Sequence, residues 1–431
     1  MKSYELYKES RTKWVSEVPN HWKRTRNKYF FTEINSAVGA LWADYPLLSL
    51  TKKGIIYRDT DSGKGKYPAS FENYKSVENG DLIFCLYDIE ETPRTVGLSK
   101  LHGMITGSYK IYSCHDVNSY FIYYYYLTID DFKGLKPYYT GLRNVIRPET
   151  FGGLTINLPL ITEQSQIVSF LDSKTRKIDK LIELTKQKIE LLKEQRTALI
   201  NQCVTKGLNP NVEMKDSGVE WIGEIPKHWN ITKLKFIGDV VIGLSYKPEN
   251  VVDEGEGTLV MRSSNVQNGK PSFSDNVYVN CEISEKLTTK EGDILICSRN
   301  GSRRLIGKNC IITKEIAGMS FGVFMTIFRS EYWGFTHWIL NSPIFKSQAG
   351  LFLTSTINQL TVSTLQNFII PFIAERAEQN QIVEYLNEQT HKIDSTIEKE
   401  SQRIELLKEY RQALISEVVT GKIDVRDEVV V

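Results

Sequence analysis

The chain has 431 residues, a formal net charge of +2, and 25% charged and 41% hydrophobic residues, which predicts a soluble globular protein of two to four domains, each able to bury a core. No apolar run approaches the roughly 18 residues of a membrane span, the start MKSYELYKES lacks the apolar region of a signal peptide, and the six cysteines show no C-x-x-C or zinc spacing; reduced thiols and a cytoplasmic location are expected, with no membrane partner. The near-neutral charge excludes nucleic-acid binding by bulk electrostatics alone, so any such binding rests on locally placed cations or is shared with a partner.

The first feature in chain order is WVSEVPNHW at 14–22, which returns as WIGEIPKHW at 221–229, an offset of 207 residues. Trp14 and Trp221, Glu17 and Glu224, Pro19 and Pro226, His21 and His228, and Trp22 and Trp229 fall in step. Periodic self-similarity of this kind marks a duplicated structural unit. The match continues: NGDLIFC (79–85) lies on EGDILIC (291–297) and PRTVG (93–97) on RRLIG (303–307). The strongest pairing is the last, 163–205 on 378–420, ungapped and with more than half of the positions identical. Ends held alike around diverged interiors predict one task performed twice on different targets.

Within each interior, short β-branched runs alternate with Gly-, Asn- and Ser-rich turns, which predicts an α+β body with a curved sheet. The run YFIYYYYL (120–127) reads as a buried strand or helix rather than a stacking platform. Basic residues gather in the loops. The first body offers Lys52, Lys53, Arg58, Lys64, Lys66, Arg94, Arg143 and Arg147; the second offers Arg262 with Ser263 and Asn265, then Arg299, Asn300, Arg303, Arg304 and Lys308, then Asn358 and Gln359. Arg and Lys can grip guanine, and Asn and Gln adenine, through two hydrogen bonds. The same residue types can equally hold phosphates and carry no sequence information.

After each body comes a long segment free of Pro and Gly. Its apolar positions step alternately by four and three: Leu171, Ile178, Ile182, Ile189, Leu192 and Leu199 in the first copy, and Leu386, Ile393, Ile397, Ile404, Leu407 and Leu414 in the second. That is the a/d spacing of a coiled-coil seam. Polar intrusions fall at equivalent places (Thr175 and Thr390, Thr185 and Glu400, Arg196 and Arg411) and would fix the register. A seam left in water is unfavourable, and the natural partner of each helix is the other copy, so an antiparallel pair is expected. Residues 171 to 203 number 33, at most about 50 Å of helix at roughly 1.5 Å per residue. The chain start supplies the continuation missing after the second helix, so the termini are expected near each other.

No catalytic constellation assembles. GSRRLIGKN (301–309) has five residues between its glycines, one more than a phosphate loop, and Asn309 where that loop needs Ser or Thr. No Asn-Pro-Pro-aromatic motif, no G-x-G-x-x-G and no carboxylate/lysine nuclease cluster is present. His21 and His228, flanked by Pro and Trp in both copies, are expected to pack or cap rather than catalyse.

The doubled W-I-G-x-I-P-x-H-W phrase, with EQ-x-x-I-V-x-x-L opening a KID…IELLKE-x-R-x-ALI helix, resembles the specificity subunits of type I restriction–modification systems over essentially the whole chain. The first copy departs at Val15, Ser16 and Val18. The resemblance implies two target recognition domains of similar mixed fold (1–160 and 219–375), spacer helices over 161–205 and 376–424, a linker over 206–218 and a tail over 425–431. It implies an antiparallel helix pair with pseudo-two-fold symmetry, with each domain reading one half of a bipartite, asymmetric site in double-stranded DNA. It further implies two methyltransferase subunits docked on the helices, and restriction subunits joining them. S-adenosylmethionine, ATP and Mg²⁺ would then act on those partners and none on this chain, which would be non-catalytic. A coiled-coil adaptor whose bodies bind proteins remains the other reading of the same residues.

Overall fold

The computed structural model describes residues 2–58, 70–140, 144–352 and 359–428. It divides into two units, Met1–Lys186 with Gln402–Val431, and Gln187–Ser401. Each unit therefore holds one body together with part of both long helices.

In the first unit, Tyr7–Glu9 pairs antiparallel with Glu17–Pro19, the strand formed by the tryptophan phrase. Lys23–Arg26 then pairs with Thr155–Leu158, tying the entrance of the body to its exit. Between them lies a four-stranded antiparallel sheet in the order Phe31–Ile34, Lys110–Cys114, Leu82–Phe84, Val96–Leu98. Leu82, Ile83 and Phe84 are wholly buried, as a strand packed on both faces requires. Helix α1 (Ser119–Asp131) contains the tyrosine run and is capped by Asn118 Oδ1, which accepts from the backbone N–H of Tyr120 and Phe121. The run is apolar on nearly every side because Phe121, Ile122 and Tyr124–Tyr126 are all buried, resolving the strand-or-helix ambiguity in favour of a core helix. Helix α2 (Pro148–Gly153) begins on its proline, and its Phe151 ring packs on Phe31 and Phe84. The long helix α3 (Ile161–Lys206) follows.

The second unit repeats this plan. Met214–Asp216 pairs with Glu224–Pro226, and Asn230–Lys233 with Ile369–Phe372. Its central sheet runs Asp239–Ile242, Met325–Arg329, Ile294–Cys297, Asn309–Ile311. The inner pairing matches as well: Ile83 faces Ile111 in the first body and Leu295 faces Ile327 in the second. A further sheet of the second body includes one parallel pair, Thr258–Met261 beside Ser320–Phe321. Helices α4 (Trp333–Leu340), α5 (Pro343–Phe352) and α6 (Val362–Gln366) precede the long helix α7 (Arg376–Val419).

The seam positions of α3 and α7 are buried or half-buried throughout. Inside the second unit Lys188 pairs with Glu400 and Arg196 with Asp394. An advance along α3 is thus a retreat along α7, and the two helices are antiparallel. Inside the first unit Arg411 pairs with Asp179 at 2.9 Å, the same contact with the helices exchanged. Helix α7 stops at Val419, short of the expected 424, because Gly421 takes a left-handed conformation with φ of +75°. A Cβ there would fall 2.3 Å from Pro19 and 3.2 Å from Trp22, so only glycine lets the helix end close on the tryptophan phrase. The chain start continues from the tail as expected: Lys2 bridges Asp424, whose N–H donates to the Lys2 carbonyl at 2.8 Å.

Candidate nucleic-acid interface

The repeated phrase explains how each body is seated. Trp22 is wholly buried, and its indole N–H donates to Glu163 Oε1 at 3.0 Å. His21 Nε2 meets Glu163 Oε2 at 2.7 Å, and the Tyr4 hydroxyl donates to Glu163 Oε1 at 2.7 Å. Burial and the facing Glu163 carboxylate push the Tyr4 hydroxyl well above the usual phenol range, keeping it a donor. The second unit repeats the arrangement with Trp229 and His228 on Glu378 at 3.0 and 2.9 Å. Both glutamates open a long helix, where the helix dipole favours negative charge. The neighbouring glutamines are fixed too: Gln164 donates to the Pro159 carbonyl and Gln379 to that of Ile373. His21 and His228 are therefore parts of a joint, as their doubled context indicated.

In the second body the loops at the end of the central sheet enclose a cleft of about 1040 Å³. It brings together five of the predicted residues, Arg262, Ser263, Arg299, Asn300 and Gln359, although 97 positions separate the outermost pair in the chain. Asn300 donates to Ser263 Oγ at 3.0 Å, and Arg262 is held by Asp275 at 2.7 Å. Two other predicted residues serve the walls instead. Asn265 is fully buried, accepts from the Arg262 N–H and donates to the Ser272 and Asp275 carbonyls. The Lys308 ammonium donates to the Ser263 and Val266 carbonyls. Arg303 and Arg304 sit on an exposed turn, and Asn358 lies outside the described residues. Sequence reasoning passed over Val323 and Phe324, which project into the cleft 43% and 53% exposed. Arg299 lies over the Phe324 ring, 5.2 Å from its centre.

The first body distributes its candidates differently. Lys52 and Lys53 are exposed at the tip of the hairpin Leu48–Thr51/Gly54–Tyr57. Arg58 borders a smaller cleft of about 390 Å³ with Trp42, Tyr45, Tyr57 and Phe71. Arg94 is committed internally, to Asp130 at 3.2 Å and Asp131 at 3.0 Å. Arg147 is exposed at the start of α2, and Lys64, Lys66 and Arg143 lie outside the described residues. Among the described residues no group of three or more His, Cys, Asp or Glu side chains could hold a metal ion, and no helix is long and apolar enough to cross a membrane.

No family model matches the chain. It is 28% identical over 210 residues to the type I restriction enzyme EcoKI specificity subunit of Escherichia coli, covering 47% of this chain and 44% of that protein. To the MjaVIII specificity subunit of Methanocaldococcus jannaschii it is 29% identical over 302 residues, 67% of this chain and 66% of the relative. The matches thus span between about half and two thirds of the relatives' own length. In fold it is similar to a chain of a type I R-M system solved for its complex assembly and conformational transition, with a TM-score of 0.71 at 15% identity over 94% of this chain and 99% of the other. The HsdS subunit from Thermoanaerobacter tengcongensis follows at a TM-score of 0.54 and 14% identity, over 94% and 98%. Two similar mixed bodies, an antiparallel pair of long helices and a doubled tryptophan joint thus accompany a likeness, in sequence and in fold, to the specificity subunits of type I restriction–modification systems.

Proposed function

We propose that the chain is the non-catalytic DNA-specificity subunit of a cytoplasmic type I restriction–modification complex. Each body reads one half of a bipartite, asymmetric site in double-stranded DNA, and the paired helices set the gap between the halves. Two methyltransferase subunits dock on the helices and restriction subunits join them. Methyl transfer to adenine N6 and ATP-dependent cleavage, with S-adenosylmethionine, ATP and Mg²⁺, belong to those partners. The observation that carries this reading is the contrast between joint and cleft. Glu163 and Glu378 receive Trp and His donors alike in both units, while the cleft bordered by Arg299 is lined by serines, Asn300 and Gln359 and the cleft bordered by Arg58 by aromatics with no Ser, Asn or Gln. A scaffold kept alike with dissimilar reading surfaces suits a device for recognising two unlike half-sites. The modest net charge of +2 fits partners that supply much of the phosphate contact.

Mapping methylated adenines genome-wide in cells with and without this chain tests the reading. One bipartite sequence should lose its methylation when the chain is deleted and regain it on complementation. An unchanged methylation map would contradict the proposal.

A further inference from the structure

The internal duplication gives each residue of one cleft a counterpart in the other body, and strand register identifies it. Phe84 faces Lys110 in the first sheet, and its counterpart Ile296 faces Thr326 in the second. Two positions before those partners lie Ser108 and Phe324. Three positions beyond Phe84 and Ile296 lie Tyr87 and Arg299. The backbone at the latter pair is the same in detail. Tyr87 forms an isolated antiparallel bridge with Val145, and Arg299 forms one with Gln359. In each body a cysteine thiol two residues earlier reaches the carbonyl of this position, Cys85 to Tyr87 at 3.4 Å and Cys297 to Arg299 at 3.7 Å. In each body, too, the side chain meets the facing loop: the Tyr87 ring lies 6.1 Å from that of Tyr109, the neighbour of Ser108, and Phe324 lies beneath Arg299. One frame therefore holds Tyr–Ser in the first body and Arg–Phe in the second.

The Arg–Phe pair is built to read. Arg299 is exposed and is paired with no carboxylate among the described residues, in contrast to Arg94 and Arg262. Stacking on Phe324 holds the guanidinium plane, so less side-chain entropy is lost when its fork engages a ligand. A planar fork with two parallel N–H groups matches guanine O6 and N7 in the major groove. The exposed faces of Val323 and Phe324 beside it suit a neighbouring thymine methyl. A phosphate contact alone would need neither the aromatic bed nor the apolar neighbour.

We infer that Arg299, positioned by Phe324, is the specificity-determining residue of the second body and takes a guanine in its half-site, with Tyr87 and Ser108 occupying the equivalent reading position of the first body for a different base. The inference rests on the DNA-reading function proposed above.

The test uses the full chain assembled with its methyltransferase subunits. Methylation rates are measured on duplexes carrying each of the four base pairs at every position of the half-site that changes when the second body is exchanged. The native complex should require guanine at one position. Arg299→Ala should lower discrimination there on the order of 10- to 100-fold, and leave the other half-site and the remaining positions as they were. Arg299→Lys, which keeps the charge and loses the planar fork, should relax the same position, and Phe324→Ala should do so partially. If Arg299→Ala retained full discrimination everywhere, or lowered methylation equally on every sequence, the inference would be overturned and Arg299 would be a bystander or a phosphate contact. Should Arg299→Ala fail to fold, the lysine and Phe324 variants decide by the same criterion. If exchanging the body altered neither half-site, the DNA-reading proposal itself would fall, a result separable from intact half-site exchange with an indifferent Arg299.

Discussion

Glu163 shows how much a single residue can settle. Its carboxylate receives the Tyr4 hydroxyl, the Trp22 indole and the His21 imidazole at once, with a side chain only 5% exposed. Glu378 receives two such donors and is 25% exposed. Leaving buried donors without an acceptor costs about 1–3 kcal/mol for each, so Glu163→Ala should cost roughly 2–4 kcal/mol and Glu378→Ala about half of that. Urea denaturation of the two variants would check the ranking; equal losses would mean that the joint is not held by these bonds. The glutamates were legible only as the opening of a helix, since their donors lie 141 to 159 positions away in the chain. Residue type also could not separate a cation left without a carboxylate from one already spent. Arg94 and Lys308 looked like Arg299 in the sequence, and only the carboxylates or carbonyls folded against them tell them apart. Phe324 escaped notice because Gly-Val-Phe-Met before a strand reads as more strand. Divergence at a single site is visible elsewhere too: Asp293 binds Arg329 at 2.7 Å, whereas the register counterpart of Arg329 is Ser113. Burial then raises the Asp81 carboxyl above its usual range, with no guanidinium to offset it.

At the level of elements, the long helices were the most legible part of the chain because their 4-3 stepping leaves few alternatives. Their antiparallel sense followed from the wish to bury two like seams, and the cross-helix pairs Arg196–Asp394 and Arg411–Asp179 bear it out. Such surface pairs contribute about 0.2–1 kcal/mol each, so their value lies in register more than in stability. The short strands were harder to read, for their partners depend on contacts distant in sequence: Lys110–Cys114 inserts between Phe31–Ile34 and Leu82–Phe84. If the helix pair sets the gap between half-sites, adding seven residues to each, after Lys186 and after Ser401, preserves the seam and adds about 10.5 Å of helix. Sequencing of methylated sites should then show a gap longer by about 3 base pairs. An unaltered gap would mean that the helices hold the bodies without measuring.

Taken whole, the molecule is one design written twice in a single chain. The duplication was legible from two tryptophan phrases and one repeated helix. What the sequence concealed is the crosswise sharing, in which each unit draws on the beginning of one long helix and the end of the other. Trp22 accordingly packs between Glu163, at the start of α3, and Gly421, just past the end of α7, and Trp229 between Glu378 and Gly207. Such a joint can carry any body that begins and ends with the same paired strands, Lys23–Arg26 with Thr155–Leu158 or Asn230–Lys233 with Ile369–Phe372. The most direct measurement is therefore to replace residues 23–160 with the body of a related subunit and map the adenines methylated by the assembled complex. The account predicts that one half of the recognised sequence changes while the other half and the gap persist; methylation at the original sites, or the simultaneous change of both halves, would contradict it.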